Sequence, residues 1–466
     1  MGNKKPVIFC VDDEKIVLNT LNSQLQGKFQ DLYELGFAES GEEAIETIND
    51  LSKDGYEIIM VIADQIMPSM KGDELLVKVH QSYPKTIKIL LTGQASLESA
   101  INAINSAHLF RYLTKPWPEE DFLLTVQKGL EEYSLIQSRE KLLMLSYGGW
   151  ISRSLYVVAK LGIPELLIDG PKTIEELANE TKSHPRSLYK IMRMLAGYGV
   201  FKEEDNQKFS INDLSILLTK NHPFTSSSMT IWYGEEGYDI WEKLLEGVQT
   251  GVPGMHLALN QPLYDYYRDH PDRATLYNRT MKEKSAATIK ACLQVYNFGQ
   301  FKKIYDVGGG YGQFISAILD AFPTIEEGVV IDQPDVVEEA KKNYPELNQK
   351  CRFEVGDFFK KIPKGADAYL LKSILSDWAD KEVIEILKCC HLAMKSKNRL
   401  LVVENILLPP NQPDLAKLLD VWHMQITPGG ERTQKEYEEL FDLAGFKITN
   451  IYPTATEFYI IEAIKK

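Results

Sequence analysis

The sequence predicts an α/β protein in which two parallel, doubly wound sheets flank a smaller helical module. Three observations carry this. Residues 6–130 alternate short apolar strands with amphipathic helical stretches. Residues 302–332 run strand, glycine-rich turn, amphipathic helix, strand. Between them, residues 151–225 hold two helical patterns followed by two short strand patterns.

Bulk properties narrow the function classes. The chain has 466 residues, enough for two to four domains, and 44% apolar with 25% charged residues describes a soluble globular protein. A net charge of −14 repels phosphate backbones and anionic lipid, so neither nucleic acid nor membrane is an expected partner. No apolar run approaches the ~20 residues a bilayer span needs. The start MGNKKPVIFCVDDE lacks the apolar core and cleavage site of a secretory signal. Met1-Gly2 opens like a myristoylation site, but Pro6 stands where Ser or Thr is wanted. The five cysteines (10, 292, 351, 389, 390) show no CxxC spacing and read as reduced thiols of a cytoplasmic protein. The eight histidines are dispersed and suggest no metal cluster.

In the first third, strands are expected at Pro6–Val11, Leu32–Ala38, Ile58–Ala63, Lys88–Leu91 and Phe110–Leu113, with helices such as Glu42–Asn49 and Glu74–Gln81 between them. Chemistry in such a sheet sits at the carboxyl ends of its strands. Those ends carry Asp12 and Asp13, Asp64, Thr92 and Lys115. Three carboxylates at one edge repel one another unless a divalent cation neutralises them, and oxygen-only ligation favours Mg²⁺. A metal-held carboxylate beside a lysine and a hydroxyl is arranged to attack phosphorus. With DQIMP (64–68) and YLTKPW (112–117), about the first 130 residues resemble the flavodoxin-like receiver domain of response regulators. The resemblance implies Asp64 as phosphoacceptor, Asp12, Asp13 and the Ile66 carbonyl at the metal, Thr92 and Tyr112 as the switch pair, and Lys115 as the phosphate contact. It also implies a histidine kinase as partner.

From Glu119 to about Leu161 there is no proline, and apolar residues recur at helical spacing: Phe122, Val126, Leu130, Tyr133, Ile136, Leu142, Leu145. A long connecting helix or helix pair follows, with 131–150 as the connector. Next, Thr173 and Glu176 form a capping box, a second helix spans about Pro185–Gly197, and Val200–Lys202 with Lys208–Ser210 makes a wing. This winged helix invites a transcription-factor reading, with Arg186, Lys190 and Arg193 on the recognition helix. A few basic residues on an acidic chain are more often a solvated face. The segment (151–225) resembles the dimerisation domain of plant-type small-molecule O-methyltransferases, which implies a homodimer.

In residues 226–466, KKIYDVGGGYGQFISAILDAF (302–322) places Asp306 at a strand end and Gly308, Gly310 and Gly312 in the turn. Glycines let the backbone turn sharply and approach a ligand. Asp332 follows at the tip of the next strand, 26 residues after Asp306, where a carboxylate can accept both ribose hydroxyls. NAD is the alternative occupant. EVGDFF (354–359), LLKSILSDW (370–378), LVVENILLP (401–409) and TPGGERTQKEYEELFDLAGF (427–446) point elsewhere. From about Trp150 onward the chain resembles the Rossmann-like S-adenosylmethionine-dependent O-methyltransferases of the caffeate and acetylserotonin type. That implies Asp357 and Phe358 near the adenine, Lys372 beside the cofactor, Trp378 closing over it, and a reversed sheet edge from Lys447–Pro453 and Glu457–Lys465.

Methyl transfer is an in-line displacement, and a hydroxyl acceptor must also lose its proton. In the family a histidine before the Asp-Trp pair serves as base; here Ser376 precedes Asp377-Trp378. Serine cannot act as a neutral-pH base unaided. The resemblance places Glu404 and Glu431 behind the missing base, while His423 in DVWHMQITPGG (420–430) faces the acceptor from the other wall, as substitute base or as packing. The aromatic stretches 230–244 and 255–271 read either as core or as the wall of a flat, apolar acceptor site. Three readings follow: a receiver-controlled methyltransferase on a small, aromatic acceptor that is already anionic, easily ionised or deprotonated by His423; a cofactor-binding relative with other chemistry; and a non-enzymatic sensor. A two-component transcription factor is the reading from another class.

Overall fold

The computed structural model describes residues 4–93 and 106–466. The Met1-Gly2 reading lies outside them. The chain divides into two compact units, one ending at Gly148 and one running from Gly149.

The first unit is a five-stranded parallel sheet, order β2-β1-β3-β4-β5, from β1 (Val7–Val11), β2 (Glu34–Ala38), β3 (Ile58–Asp64), β4 (Ile87–Thr92) and β5 (Arg111–Thr114). Helices α1 (Lys15–Phe29), α2 (Gly41–Lys53) and α3 (Gly72–Ser82) connect them. Strand β1 is apolar throughout because both its faces are covered: Val7, Phe9 and Val11 enter one core, Ile8 and Cys10 the other. Pairing Val11 with Ala63 and Asp64 with Leu91 brings Asp12, Asp64 and Thr92 to one edge.

The expected connector is a single helix, α4 (Glu119–Lys160). Its first turns bury Phe122, Val126, Leu130 and Tyr133, whereas Leu142 and Leu145 stand exposed.

In the second unit, β6 (Lys172–Thr173), α5 (Ile174–Thr181), α6 (Pro185–Gly197), β7 (Lys202–Glu204) and β8 (Lys208–Ser210) form the winged module. Both halves of the Thr173–Glu176 capping box are present. Leu188, Met192 and Leu195 are buried, and Arg186, Lys190 and Arg193 are exposed. The wing begins at Lys202 rather than Val200, because Val200 and Phe201 are drawn into the module's core.

Helices α7 (Ser227–Gly234) and α8 (Pro271–Val295) precede an eight-stranded sheet. Its path is β11-β10-β9-β12-β13-β16-β15, from β9 (Lys303–Val307), β10 (Glu327–Asp332), β11 (Arg352–Val355), β12 (Ala368–Lys372), β13 (Arg399–Leu407), β15 (Phe446–Pro453) and β16 (Phe458–Lys465); β14 (Arg432–Thr433) pairs with β13. The last two strands run antiparallel, the reversed edge the resemblance implies. Helices α9 (Gln313–Ala321), α10 (Asp380–Ala393), α11 (Leu415–Ile426) and α12 (Gln434–Leu443) belong to this part. Strand order reverses between β9 and β12, and ligands of such sheets bind at that switch point. Among the described residues no helix is long and apolar enough to cross a membrane, and all five cysteines are free.

Candidate active site

The switch point opens on the glycine turn. Gly308, Gly310 and Gly312 have φ of 71°, 56° and 80°, the left-handed region that glycine enters without strain. A Cβ on Gly309 would lie 2.7 Å from the Asp306 carboxylate, so the turn wraps that side chain closely. Asp306 is buried, its Oδ2 has no hydrogen-bond partner, and burial pushes its carboxyl up to about 7. Asp332 at the end of β10 accepts the Gly310 N–H (2.8 Å) and the Gln333 N–H (2.7 Å), which fixes its carboxylate against the turn. Burial raises it above the usual carboxylate range.

Around this turn stand the other expected cofactor residues. Phe358 lies 3.5 Å from where a Gly308 Cβ would be and meets Trp378 edge-on at 6.3 Å. Phe359, which the sequence did not single out, packs closer to Trp378, at 4.7 Å. Asp357 accepts from Lys360 (2.9 Å) and the Phe359 N–H, which holds it below the usual range. Lys372 ends β12; burial, and then Lys284, push its ammonium down, against the pull of Glu404 and Asp306. An unpartnered buried carboxylate, a second one on the glycine turn and two aromatic rings suit an adenosyl group with a charged amino-acid tail.

Ser376 is 2% exposed, inside a short turn after β12. The resemblance implies Glu404 behind a base. In the structure its Oε1 holds backbone instead, accepting the N–H of Ile374 (2.8 Å), Leu375 (2.8 Å) and Ser376 (3.4 Å). With serine's short side chain at 376, that carboxylate positions the turn. Its Oε2 has no partner, and burial followed by Glu431 raises it to about 7. Arg432 clamps the same turn, donating to Leu375 O (3.0 Å) and Trp378 O (2.8 Å). A Cβ on Gly429 would lie 2.1 Å from Ser376 O, so backbone packs on backbone there. Neither Arg432 nor Gly429 was singled out from the sequence, though GGERT was the available signal.

His423 sits on α11, 7% exposed, with Nδ1 3.3 Å from Glu431 Oε1. Asn405 Nδ2 donates to the same oxygen at 2.6 Å, and the Glu431 N–H donates to Asp420 Oδ1 at 2.8 Å. The adjacent Trp422 turns into an aromatic cluster, edge-on to Trp232 and Tyr233, each at 5.1 Å. Trp232 Nε1 donates to Tyr267 Oη (2.7 Å), which donates to Glu236 Oε2 (2.9 Å). Trp232, Ile240, Met255, Leu263 and Tyr267 are buried in this cluster, so the aromatic stretches supply core behind α11 rather than an open wall.

The first unit has its own acidic site. Lys115 Nζ stands 2.6 Å from Asp12 Oδ2 and 2.6 Å from Asp64 Oδ1. Burial opposes its charge, but the two carboxylates outweigh this and raise the ammonium above its usual range. Burial also raises Asp12. Asp64 Oδ2 accepts the Ile66 N–H at 2.9 Å, so it is the amide of Ile66 that is engaged. The expected set of three carboxylates is not assembled: Asp13 is exposed, and among the described residues no three metal-ligating side chains converge. Lys115 bridges the pair and offsets one of its two charges. Thr92 is buried with an unpartnered hydroxyl, whereas Tyr112 is 47% exposed and is not brought to it.

Residues 8–127 match the family model of the response regulator receiver domain, residues 143–221 that of the O-methyltransferase dimerisation domain, and residues 241–447 that of the O-methyltransferase domain. The chain is 36% identical to a phenazine O-methyltransferase of Lysobacter antibioticus over 324 residues, 69% of this chain and 95% of that protein. It is 34% identical to the 8-amino-8-demethylriboflavin N,N-dimethyltransferase of Streptomyces davaonensis over 315 residues, 66% and 90% of the two chains. The SAH-bound structure of a methyltransferase in calicheamicin biosynthesis matches with a TM-score of 0.65 at 26% identity, over 71% of this chain and 99% of that one.

Proposed function

The chain belongs to the O-methyltransferase family and carries a response regulator receiver domain ahead of its dimerisation domain, and on that premise we propose that it methylates a small aromatic acceptor under phosphorylation control. S-adenosylmethionine supplies an electrophilic methyl group. Asp306 and Asp332 hold its polar ends, Gly308 and Gly310 admit it closely, and Asp357, Phe358, Lys372 and Trp378 surround its ring. His423, oriented by Glu431, takes the acceptor's proton; Glu404 keeps the Ser376 turn in place.

The observation that supports this reading is the His423–Glu431 contact of 3.3 Å, which sets an imidazole beside a carboxylate without a formed hydrogen bond, near Ser376, where the resemblance implies a histidine base. We further propose domains at 1–130, 131–150 (connector), 151–225 (dimerisation) and 226–466, and a cytoplasmic homodimer. Asp64 takes a phosphoryl group from a histidine kinase. Oxygen donors that already converge on one cation, Lys115, suit Mg²⁺ held by Asp12, Asp64 and a reoriented Asp13. Thr92 and Lys115 contact the phosphoryl oxygens, and Tyr112 turns inward as the second switch residue.

The test is S-adenosylhomocysteine release across an acceptor panel, with and without beryllofluoride as phosphoryl mimic. The reading expects turnover and a rate that differs between the two states. No turnover with a donor that binds favours the sensor; equal rates remove the regulation.

A further inference from the structure

Helix α4 carries a second apolar face. Leu135, Leu142 and Leu145 are 70%, 65% and 71% exposed. A lone exposed leucine needs no explanation, but these three share one stripe. At about 100° per residue they fall within about 80° of arc. Phe122, Val126 and Tyr133, which bury into the first unit's core, lie on the opposite side of the helix. Glu140 points that way too, pairing with Lys85 of the same unit at 2.5 Å. The stripe is therefore turned away from the core that α4 closes.

Spacings of seven and then three residues are the a, a, d pattern of a two-stranded coiled coil. The d position between Leu135 and Leu142 is Ser138. Three leucines supply only a fraction of the roughly 800 Å² per partner that a stable interface buries. Such a stripe extends an interface and does not make one. The interface it continues belongs to the same helix. The match to the dimerisation domain begins at residue 143, and α4 runs from Glu119 to Lys160. Leu145 lies inside that match, and Leu135 and Leu142 lead into it.

Resting on the homodimer reading, we infer that residues 135–145 of α4 pair with the same residues of a second copy, as a short parallel coiled coil that carries the dimer interface into the connector. Parallel pairing sets each leucine against its counterpart and gives three apolar layers. An antiparallel pair centred on the stripe sets Leu142 against Ser138. The positions flanking a parallel seam match Ser134 with Arg139 and Lys141 with Ser146, so no like charges meet. The helix that closes each receiver core is thereby held against its counterpart.

Disulfide trapping in the full chain tests this, with light scattering recording the mass beforehand. A disulfide needs Cα atoms within about 7 Å, which facing positions of paired helices reach. Under mild oxidation, Leu142→Cys is expected to form a covalent dimer at least about tenfold faster than Glu140→Cys, on the opposite face, or the parent with its five native cysteines. Adding Leu135→Asp to Leu142→Cys puts two like charges in the seam and is expected to slow trapping by about tenfold. A dimeric chain that traps no faster through Leu142→Cys than through Glu140→Cys overturns the pairing alone. Trapping unaffected by Leu135→Asp, or trapping that links dimers into larger species, does the same. A parent that scatters as a monomer removes the homodimer reading and the pairing with it.

Discussion

His423 Nδ1 and Glu431 Oε1 lie 3.3 Å apart, and Asn405 Nδ2 shares that oxygen at 2.6 Å. Nδ1 makes no hydrogen bond in this structure; we propose that in the working site it closes on this carboxylate, which selects the tautomer with its proton there and leaves Nε2 as the free base. Glu431→Gln loses this selection. Its kcat for a hydroxyl acceptor such as 1-naphthol is expected to fall by about 10²-fold, within the range for acid–base groups, with KM for the methyl donor unchanged. Steady-state kinetics at saturating donor check it.

Ser376→His places an imidazole on the Glu404-held turn. Hydroxyl methylation rises in this variant, so its ratio of amine to hydroxyl turnover drops by about tenfold or more. Competition between 1-naphthylamine and 1-naphthol in one tube reads that ratio directly.

Glu404 links stability to pH. In the folded protein its carboxyl keeps a proton up to about 7, against an ordinary value of 4.5. Between those values the folded state binds the extra proton, so this contribution is full below about 4.5 and is lost as pH rises through 7. Glu404→Gln retains an oxygen for the Ile374 and Leu375 N–H groups without the titration. The fall in Tm from pH 5 to pH 8 is therefore smaller in Glu404→Gln than in the parent, as thermal melts at the two pH values report.

In the receiver unit, Asp64→Asn abolishes phosphoryl uptake from acetyl phosphate, measured by intact-protein mass. Lys115, 2.6 Å from Asp64, is then left with Asp12 alone. Methyl transfer by this variant stays at the unphosphorylated rate whether or not acetyl phosphate is present.

Much of this architecture follows from pattern. Continuous apolar runs such as Ile58–Ala63 belong to strands covered on both faces, and the capping box at Thr173 marks its helix start to the residue. The glycine turn is readable because only left-handed backbone needs glycine at 308, 310 and 312. What sequence could not resolve lies in three-dimensional partnership. Periodicity cannot say that Lys115 sits between Asp12 and Asp64 while Asp13 faces solvent, or that Glu404 serves backbone amides. Aromatic spacing could not choose between a wall and a core for Trp232 and Tyr267; their mutual hydrogen bond and burial against Trp422 do. Gly429 shows its importance only when the backbone of Ser376 is found against it.

The claim that base function has moved to α11 is tested most directly by single-turnover methyl transfer in His423→Gln, with donor prebound and 1-naphthol or 1-naphthylamine added. The account predicts a loss of about 10²-fold on the naphthol and less than about tenfold on the amine, whose attack precedes proton loss. Parent-like rates on both acceptors would contradict it.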